Sequence, residues 1–341
     1  MRVFSLDQIS NQLFCEYSTY ILISAALGRG INVDVLDEEL QIIQLRHGTR
    51  REWIKQATHT SRDSHIVFNM LLQKHLTKKI LEENKIATAK WRLYERLSEY
   101  RDARSAFGHI KAVIKPTCLN GGTGIVFLEK NASSEQWKRA FSEVFQYSKK
   151  ILVEAFVEGD DYRFLVIDGE VIAVVMRLPA NVRGDGVHTI EALIARKNAD
   201  PRRGIHADTP LCPIVIDRSV EDYLARRNMS LKSVASKSDI VFLRSVSNIS
   251  SGGDSVDVTD SIHPDYFNIA AKAALLFKSS IVGVDILLKN PRQAASSSNH
   301  SVIELNANPA LAIHADPYIG KPRPVAEAVL DMLGFRHPVL E

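Results

Sequence analysis

Residues 302–309 read Val-Ile-Glu-Leu-Asn-Ala-Asn-Pro, and residues 283–286 read Gly-Val-Asp-Ile. In an extended strand alternate side chains share a face, so Glu304 and Asn306 project together while Ile303 and Leu305 take the opposite, apolar side. Residues 281–288 read as a second strand with one acid, Asp285, and the polar stretch from Asn290 to His300 supplies the turn back. Three hard oxygen ligands then converge. An all-oxygen set without Cys or His suits Mg²⁺, which commonly links one or two carboxylates to nucleotide phosphates. Taken alone, the same residues read more simply as a strand-end acid and two polar edge residues, so the choice falls to the chain upstream.

Composition narrows the classes. With 341 residues and 45% hydrophobic content, the chain can bury a substantial core divided into two or three lobes. Lys plus Arg number 43 against 40 Asp plus Glu, a net charge of +3, which gives no general case for a nucleic-acid partner. The first residues, Met-Arg-Val-Phe-Ser-Leu-Asp-Gln, lack an apolar signal core, and no apolar run approaches the roughly 20 residues of a spanning helix. The expectation is a cytoplasmic protein with no membrane partner. Cys15, Cys118 and Cys212 are odd in number and far apart, which fits neither a disulfide framework nor a thiolate zinc site; Cys118 is expected to be a small packing residue.

Taken in order, residues 16–29 have helical spacing with Gly30 as a stop, and 41–57 reads as a hairpin turning near His47-Gly48. From Ser64 a helical pattern runs to Asn84, interrupted near Gln73; it carries Lys74, Lys78 and Lys79, of which the last two fit a solvated face. Residues 111–128 read strand, glycine loop, strand. The loop does not open a helix, so it is neither a Walker A loop nor a dinucleotide fingerprint. Its glycines, Gly121, Gly122 and Gly124, permit backbone N–H groups to wrap phosphates, and Lys115 at the strand end can reach the same anions. A tight hairpin with an incidental lysine is an equal reading of that segment alone.

The apolar strand 151–157 is interrupted by Glu154 and runs into Glu-Gly-Asp-Asp, and Asp168-Gly169 joins two further strands, 162–167 and 170–177. Arg163 and Arg177 are edge-strand charges or, equally, bidentate anion ligands. Residues 179–244 read as loop-rich with a helix at 219–228. The small-residue loop 243–255 is a linker or a substrate cradle, and helices at 264–278 and 324–333 complete the chain.

Lys74, Lys115 with its glycine hairpin, the Glu154 strand, Asp285 and Glu304-Leu-Asn306 resemble, in order and spacing, the ATP-grasp superfamily of carboxylate–amine ligases. Lys-Gln-Ala-Thr at 55–58, Tyr-Arg-Phe-Leu-Val-Ile at 162–167, Arg-Leu-Pro-Ala-Asn-Val at 177–182, Gly-Asp-Gly at 184–186 and Ser-Asn-Ile-Ser-Ser-Gly-Gly-Asp-Ser at 247–255 are similar to the glutathione synthetase module that ends the bifunctional glutamate–cysteine ligase/glutathione synthetases. Cyanophycin synthetase shares the segments at 184–190, 200–204 and 247–264.

The resemblance implies an α/β (α+β) ATP-grasp fold: an N-terminal lobe over 1–86, a lid subdomain over 87–157, and a C-terminal antiparallel-sheet subdomain over 158–341. It implies ATP and Mg²⁺, with Mn²⁺ as a substitute, and an amide bond formed through an acyl phosphate from γ-glutamylcysteine and glycine. Asp285, Glu304 and Asn306 would hold the metal. Lys74 and Lys115 would contact phosphates under the 121–124 backbone. Glu154, Ala155, Phe156 and Val157 would form the adenine hinge, with Asp161 on the ribose. Arg244, with Asn248, Ser250, Ser251, Gly252 and Gly253, would face the acyl phosphate. Arg177 and Asn181 would bind a substrate. The 341 residues hold no counterpart of the glutamate–cysteine ligase module, so a separate enzyme is expected to supply the donor; a homo-oligomer is compatible with the sequence. The alternatives are a cyanophycin-synthetase-like or other peptide ligase, a phosphotransferase, and a non-catalytic ATP-binding module.

Overall fold

The computed structural model describes residues 15–119, 122–204 and 209–336, and the backbone alone at 2–3. Gly121 therefore lies outside the described residues. The first sheet is antiparallel, with β1 (Arg2–Val3), β2 (Asn32–Asp37), β3 (Ile42–His47) and β4 (Arg50–Lys55) in that order. Gly48 closes its last hairpin at a φ of 57°, which a glycine adopts without steric cost. Helix α1 (Tyr17–Gly28) lays Leu22, Ile23 and Ala26 over Val33, Ile43, Leu45 and Ile54. The same core takes Val325, Val329 and Leu330 from the end of the chain, and Arg29 pairs there with Glu327 and Asp331. The helical segment after Ser64 is broken where the sequence suggested: α2 (His65–Leu71) ends just before Gln73, which caps α3 (Lys74–Glu83).

The second sheet is built from β5 (Trp91–Tyr94), β6 (Ala112–Pro116), β7 (Val126–Leu128) and β8 (Ile151–Ala155), in the order β5-β8-β6-β7. Its helices are α4 (Tyr100–Phe107) and α5 (Ser134–Val144), the latter opened by a reciprocal Ser133–Gln136 capping box. Strand alternation divides the sheet. Ala112, Ile114, Ile151 and Val153 pack on Phe107, Trp137 and Phe141, while Val113, Lys115 and Glu154 occupy the other face.

Strands β9 (Asp160–Ile167) and β10 (Glu170–Leu178) meet at Asp168-Gly169, both at positive φ (51° and 82°), as a tight two-residue turn demands. The 179–244 segment corrects the loop-rich expectation. It contains β11 (Asn181–Arg183) paired with β12 (Ile240–Phe242), α6 (Ile190–Asn198) and α7 (Arg218–Ala225), around a core of Val182, Ile190, Ile194, Val220, Leu224 and Leu243. There follow β13 (Asp254–Asp257), α8 (Pro264–Leu275), β14 (Ile281–Leu288), β15 (His300–Asn306), the short α9 (Ala312–Ala315) and α10 (Val325–Met332).

The central sheet, β13-β10-β9-β14-β15, is antiparallel throughout and covered on both faces. On one face Phe164, Val166, Val282, Val284, Ile286 and Val302 pack under Tyr266, Ala270 and Ala273 of α8. Each such buried side chain contributes about 1.5–3 kcal/mol of transfer free energy. On the other face Leu165, Ile167, Ala173 and Ile281 join the first core, and the rungs beyond them turn polar. That change of character along one face places the site. Among the described residues, no helix is long and apolar enough to cross a membrane.

Candidate active site

Register converts the sequence pattern into geometry. Asp285 lies opposite Arg163 on β9 and opposite Glu304 on β15; Asn306 lies two rungs along, opposite Gly283, and Arg177 pairs with Asp161 on the other side. Two charges of each sign and an amide thus sit close together on the polar end of this face, with Asp161 completing the group. Asp285 is fully buried. Its Oδ1 accepts from Arg163 Nε at 2.7 Å, and its Oδ2 accepts from Arg163 Nη2 and Arg177 Nη2, both at 2.7 Å, and from Asn306 Nδ2 at 3.2 Å. Gly283 leaves room for this: a Cβ there would lie 3.4 Å from Arg163 Cδ and 3.0 Å from Pro309 Cβ. Arg177 also forks onto Asp161, at 2.7 and 2.9 Å from the two oxygens. Burial disfavours its charge, but Asp285 and Asp161 outweigh that and hold the guanidinium firmly protonated.

The bulge between the Asp285 and Ile286 rungs alters one expectation. Because Asp285 faces Glu304 while Ile286 faces Val302, Ile303 is the extra residue. Ile303 therefore does not join Leu305 in the core but lines the cleft beside Glu304.

Opposite, α3 carries Lys74 and Lys78 one turn apart on its inner side. Lys74 Nζ donates to Leu119 O at 2.7 Å and lies 3.1 Å from Glu304 Oε2. Burial pushes the Glu304 carboxyl up, but Lys74, Lys115, Arg163 and Arg177 outweigh it and hold it well below the usual carboxylate range. Lys115 Nζ is 2.9 Å from Glu154 Oε1, and Lys78 Nζ is 3.3 Å from Glu154 Oε2. Here the solvated-face expectation for Lys78 fails, since its side chain is completely buried, whereas Lys79 is exposed. Helical position explains it: Lys78 shares the inward stripe with Lys74, Thr77 and Leu81.

Three adjoining cavities form a cleft along the polar end of the central sheet, the first two facing the second sheet. The first, 400 Å³, is a largely apolar slot lined by Val113, Ile125, Phe127, Phe156, Val157, Leu287 and Ile303, with the carboxylates of Glu154, Asp160 and Asp161 on its wall. The second, 130 Å³, lies among Lys74, Lys115, Gly122, Thr123, Asn248 and Glu304. The third, 300 Å³, extends past Arg163, Arg177, Asn248, Ser250 and Asn306 to Glu16, Tyr17, Cys212 and Asn308. Lys115, Asp161, Arg177 and Ile303 border both the first and second; Arg177, Asn248 and Glu304 border both the second and third. The arrangement runs from apolar slot through cationic waist to polar chamber. Gly122, at φ 74°, crosses the waist so closely that a Cβ would meet Asn248 Nδ2 at 2.6 Å. That amide nitrogen is buried without a hydrogen-bond partner among the described residues, so the waist holds a donor still to be satisfied.

The residues expected from sequence separate on this geometry. Lys74, Lys115, Gly122, Glu154, Ala155, Phe156, Val157, Asp161, Arg177, Asn248, Ser250, Glu304 and Asn306 all line the cleft. Gly124, also at positive φ, instead backs the loop, packing its Cα side on Tyr147 and Pro116. Asn181 is a correction: it lines none of these three cavities, and its amide is consumed by Asp254, Pro179 O and Lys197. Ser251 donates to Asn248 O, Gly252 O accepts from Arg203, and Gly253 sits where a Cβ would strike Leu178 O at 2.6 Å. These three brace the loop that Asn248 and Ser250 present. Arg244 borders the apolar slot, where Asp217 and Val215 O hold its Nη2 at 2.8 and 3.1 Å, and it does not line the waist. Cys118 is exposed beside the loop and does not pack.

The donor set admits a divalent cation in part. Glu304 and Asn306 line the cleft, and because Asn306 Nδ2 is turned to Asp285 its amide oxygen is left as the ligand atom. Asp285 fits behind them only with one of its arginine contacts exchanged. No cluster of three His, Cys, Asp or Glu side chains capable of holding a metal occurs among the described residues, so an amide oxygen is needed to complete any set here. The residues that sequence reading missed, Arg163 as partner of Asp285 and the chamber wall of Glu16, Tyr17 and Asn308, become visible only through strand register and the return of the chain to α1.

Two family descriptions match the chain: an ATP-grasp-like domain over residues 15–66, and the ATP-grasp (A) domain of phosphoribosylglycinamide synthetase over 72–180. The glutathione biosynthesis bifunctional protein of Clostridium perfringens is 42% identical over 318 residues, covering 93% of this chain and 41% of that protein. The protein of the same name from Desulfotalea psychrophila is 36% identical, covering 94% and 41%. A crystal structure of a bifunctional glutathione synthetase from Pasteurella multocida superposes with a TM-score of 0.74 at 33% identity, over 97% of this chain and 44% of that one. The chain thus spans less than half the length of the curated relatives it matches.

Proposed function

Because the chain belongs to the ATP-grasp proteins and has the ATP-grasp fold, we propose that it is an ADP-forming carboxylate–amine ligase that joins γ-glutamylcysteine to glycine. The observation that carries this reading is the waist. Lys74, Lys115 and an unpartnered Asn248 amide meet Glu304 between an apolar slot and a polar chamber, as transfer of a phosphoryl group from a nucleotide to a second substrate requires. The glutathione assignment rests on the names of the relatives, which match this chain over 93% and 94% of its length.

In this reading adenine enters the slot against Phe127 and Phe156, with Glu154 at its back and Asp161 near the ribose. Lys74 and Lys115 face the phosphates, and the Gly122 backbone closes over them. The donor's carboxylate oxygen attacks the γ-phosphorus, the bond to the bridging oxygen breaks, and ADP leaves. The amine nitrogen then attacks the acyl carbon, gives up its proton, and inorganic phosphate departs. Asn248 Nδ2 and Ser250 lie where they can donate to the oxyanion formed in that second step. Glu304 and Asn306, with Asp285 behind them, would hold a divalent cation, Mg²⁺ or Mn²⁺, which supplies charge neutralisation at the phosphates. The lid excludes water from the acyl phosphate. A separate glutamate–cysteine ligase would supply the donor.

The test is phosphate release by the purified protein with Mg-ATP, γ-glutamylcysteine and glycine, with mass spectrometry of the product. Release that needs both a carboxylate and an amine is expected. Turnover indifferent to the amine would point to a phosphotransferase and sink the ligase reading.

A further inference from the structure

Glu154 is almost wholly buried and lines the apolar slot, and two lysines converge on it. Lys115 takes Oε1 at 2.9 Å, outside hydrogen-bond geometry, and Lys78 takes Oε2 at 3.3 Å. Lys78 reaches no cavity of the cleft, and Thr88 Oγ1 accepts from its ammonium at 2.9 Å, which fixes the head beneath Glu154. Such a fully enclosed lysine is costly unless its charge is paired, because desolvation alone favours the neutral amine, and Glu154 and Thr88 supply the pairing. Burial pushes its pKa down to about 8, with Glu154 opposing the shift.

The charge count gives the function. Lys115 borders both the slot and the waist and lies 2.9 Å from Glu154, so a bound nucleotide phosphate would be a second anion competing for it. Without a second cation, moving to phosphate would strand a buried carboxylate, and Glu154 would otherwise cancel the charge that the phosphate needs. We propose that Lys78 is a positioning residue, the standing counterion of Glu154 that releases Lys115 to the nucleotide phosphates. This rests on the nucleotide site described above, and it adds a residue that touches neither nucleotide nor substrate.

The experiment compares calorimetric binding of ATP with that of adenosine, so that the ratio of affinities reports the phosphate contacts alone. Lys78→Met, close in length and uncharged, is expected to lower the ATP-to-adenosine ratio by about tenfold or more, the size of a lost charge-assisted contact. In a Glu154→Gln background, where no carboxylate competes for Lys115, the same Lys78→Met change is expected to leave the ratio within about threefold. A residue that only packed α3 would not show this dependence on Glu154. A ratio unmoved by Lys78→Met, or lowered equally in both backgrounds, overturns the inference. Should Lys78→Met fail to fold by circular dichroism, Thr88→Val loosens the ammonium and is expected to lower the ratio by several-fold; no change overturns the inference. Wild-type protein that binds neither ligand overturns the nucleotide site and the inference together, whereas normal wild-type binding with an unmoved ratio overturns the inference alone.

Discussion

Asp285 and Glu304 face each other across one rung, yet their surroundings give them different burdens. Asp285 is fully buried with its oxygens occupied by two arginines, and Glu304 lines the cleft. Asp285→Asn strips a buried partner from Arg163 and Arg177, so chemical denaturation should show a loss of about 3–5 kcal/mol. Glu304→Gln gives up the attraction of Lys74 and its neighbouring cations but no buried bidentate partner, so it should cost clearly less stability than Asp285→Asn and cut turnover by about a hundredfold, about 3 kcal/mol of charge stabilisation at the phosphates. Equal stability losses in the two variants would refute this division of labour. His314 carries a different prediction. It is completely enclosed, neither ring nitrogen has a hydrogen-bond partner, and burial, reinforced by Arg163 and Arg177 against the pull of Asp257, pushes its pKa down to about 3. A depressed pKa means the unfolded chain binds the extra proton, so this contribution is complete above the ordinary value of 6.5 and is lost as pH falls from there toward 3. His314→Leu should flatten the decline in stability between pH 6.5 and 5 measured by urea titration; an unchanged slope would assign that decline to other groups. What the sequence could show at this scale was chemical type in a strand period, which is why Glu304 and Asn306 were legible. Lys78 was not, because the same residue letters describe a solvated helix face until Glu154 is brought over it.

Elements register more clearly in the sequence than the irregularities that tune them. The break at Gln73 and the Asp168-Gly169 turn follow from local chemistry, so residue type alone exposes them. The extra residue Ile303 has no local signature, since a bulge is a property of a strand pair, and it moves one apolar side chain from core to cleft. Helix α6 was missed for another reason. It is only nine residues long and buries Ile190, Leu193 and Ile194 within a segment dense in turns, although Thr189, whose hydroxyl accepts from Ala192 N–H, marked its start. The glycine loop lies between these cases, for its composition announced a close approach without saying to what. Gly122→Ala tests that approach. The positive φ costs an L residue about 1–2 kcal/mol, and the new methyl collides with Asn248, so the KM for ATP should rise by about tenfold. Gly28→Ala is the control, because nothing lies within 4 Å of its Cβ position. If the two variants shared the same kinetics, the loop would not close on the waist.

At the scale of the molecule, the end of the chain matters to the site. Helix α10 packs on α1, and the start of α1 supplies Glu16, Tyr17 and Ser18 to the outer wall of the polar chamber. The chamber is therefore formed from the start of α1, which α10 backs, from the end of β15 with the segment after it to Ile313, and from the loop at 248–250, an arrangement no local pattern in the sequence displays. On the proposed ligase reading its volume of 300 Å³ would serve two substrates in succession with the acyl phosphate, and a peptide donor would fill most of it. The amine would then take what remains, a space expected to admit glycine and to exclude larger amino acids. Selection should accordingly be sharp at the amine and looser at the donor, where one methylene changes binding by only about 1–3 kcal/mol. A competition assay with glycine, alanine, serine, arginine and aspartate as acceptors decides the matter, with product ratios read by mass spectrometry. Glycine should dominate over arginine and aspartate completely, with alanine the strongest of the minor products. A preference for arginine or aspartate would reassign the chamber to a cyanophycin-like polymer end, while the cationic waist and its phosphoryl chemistry would stand.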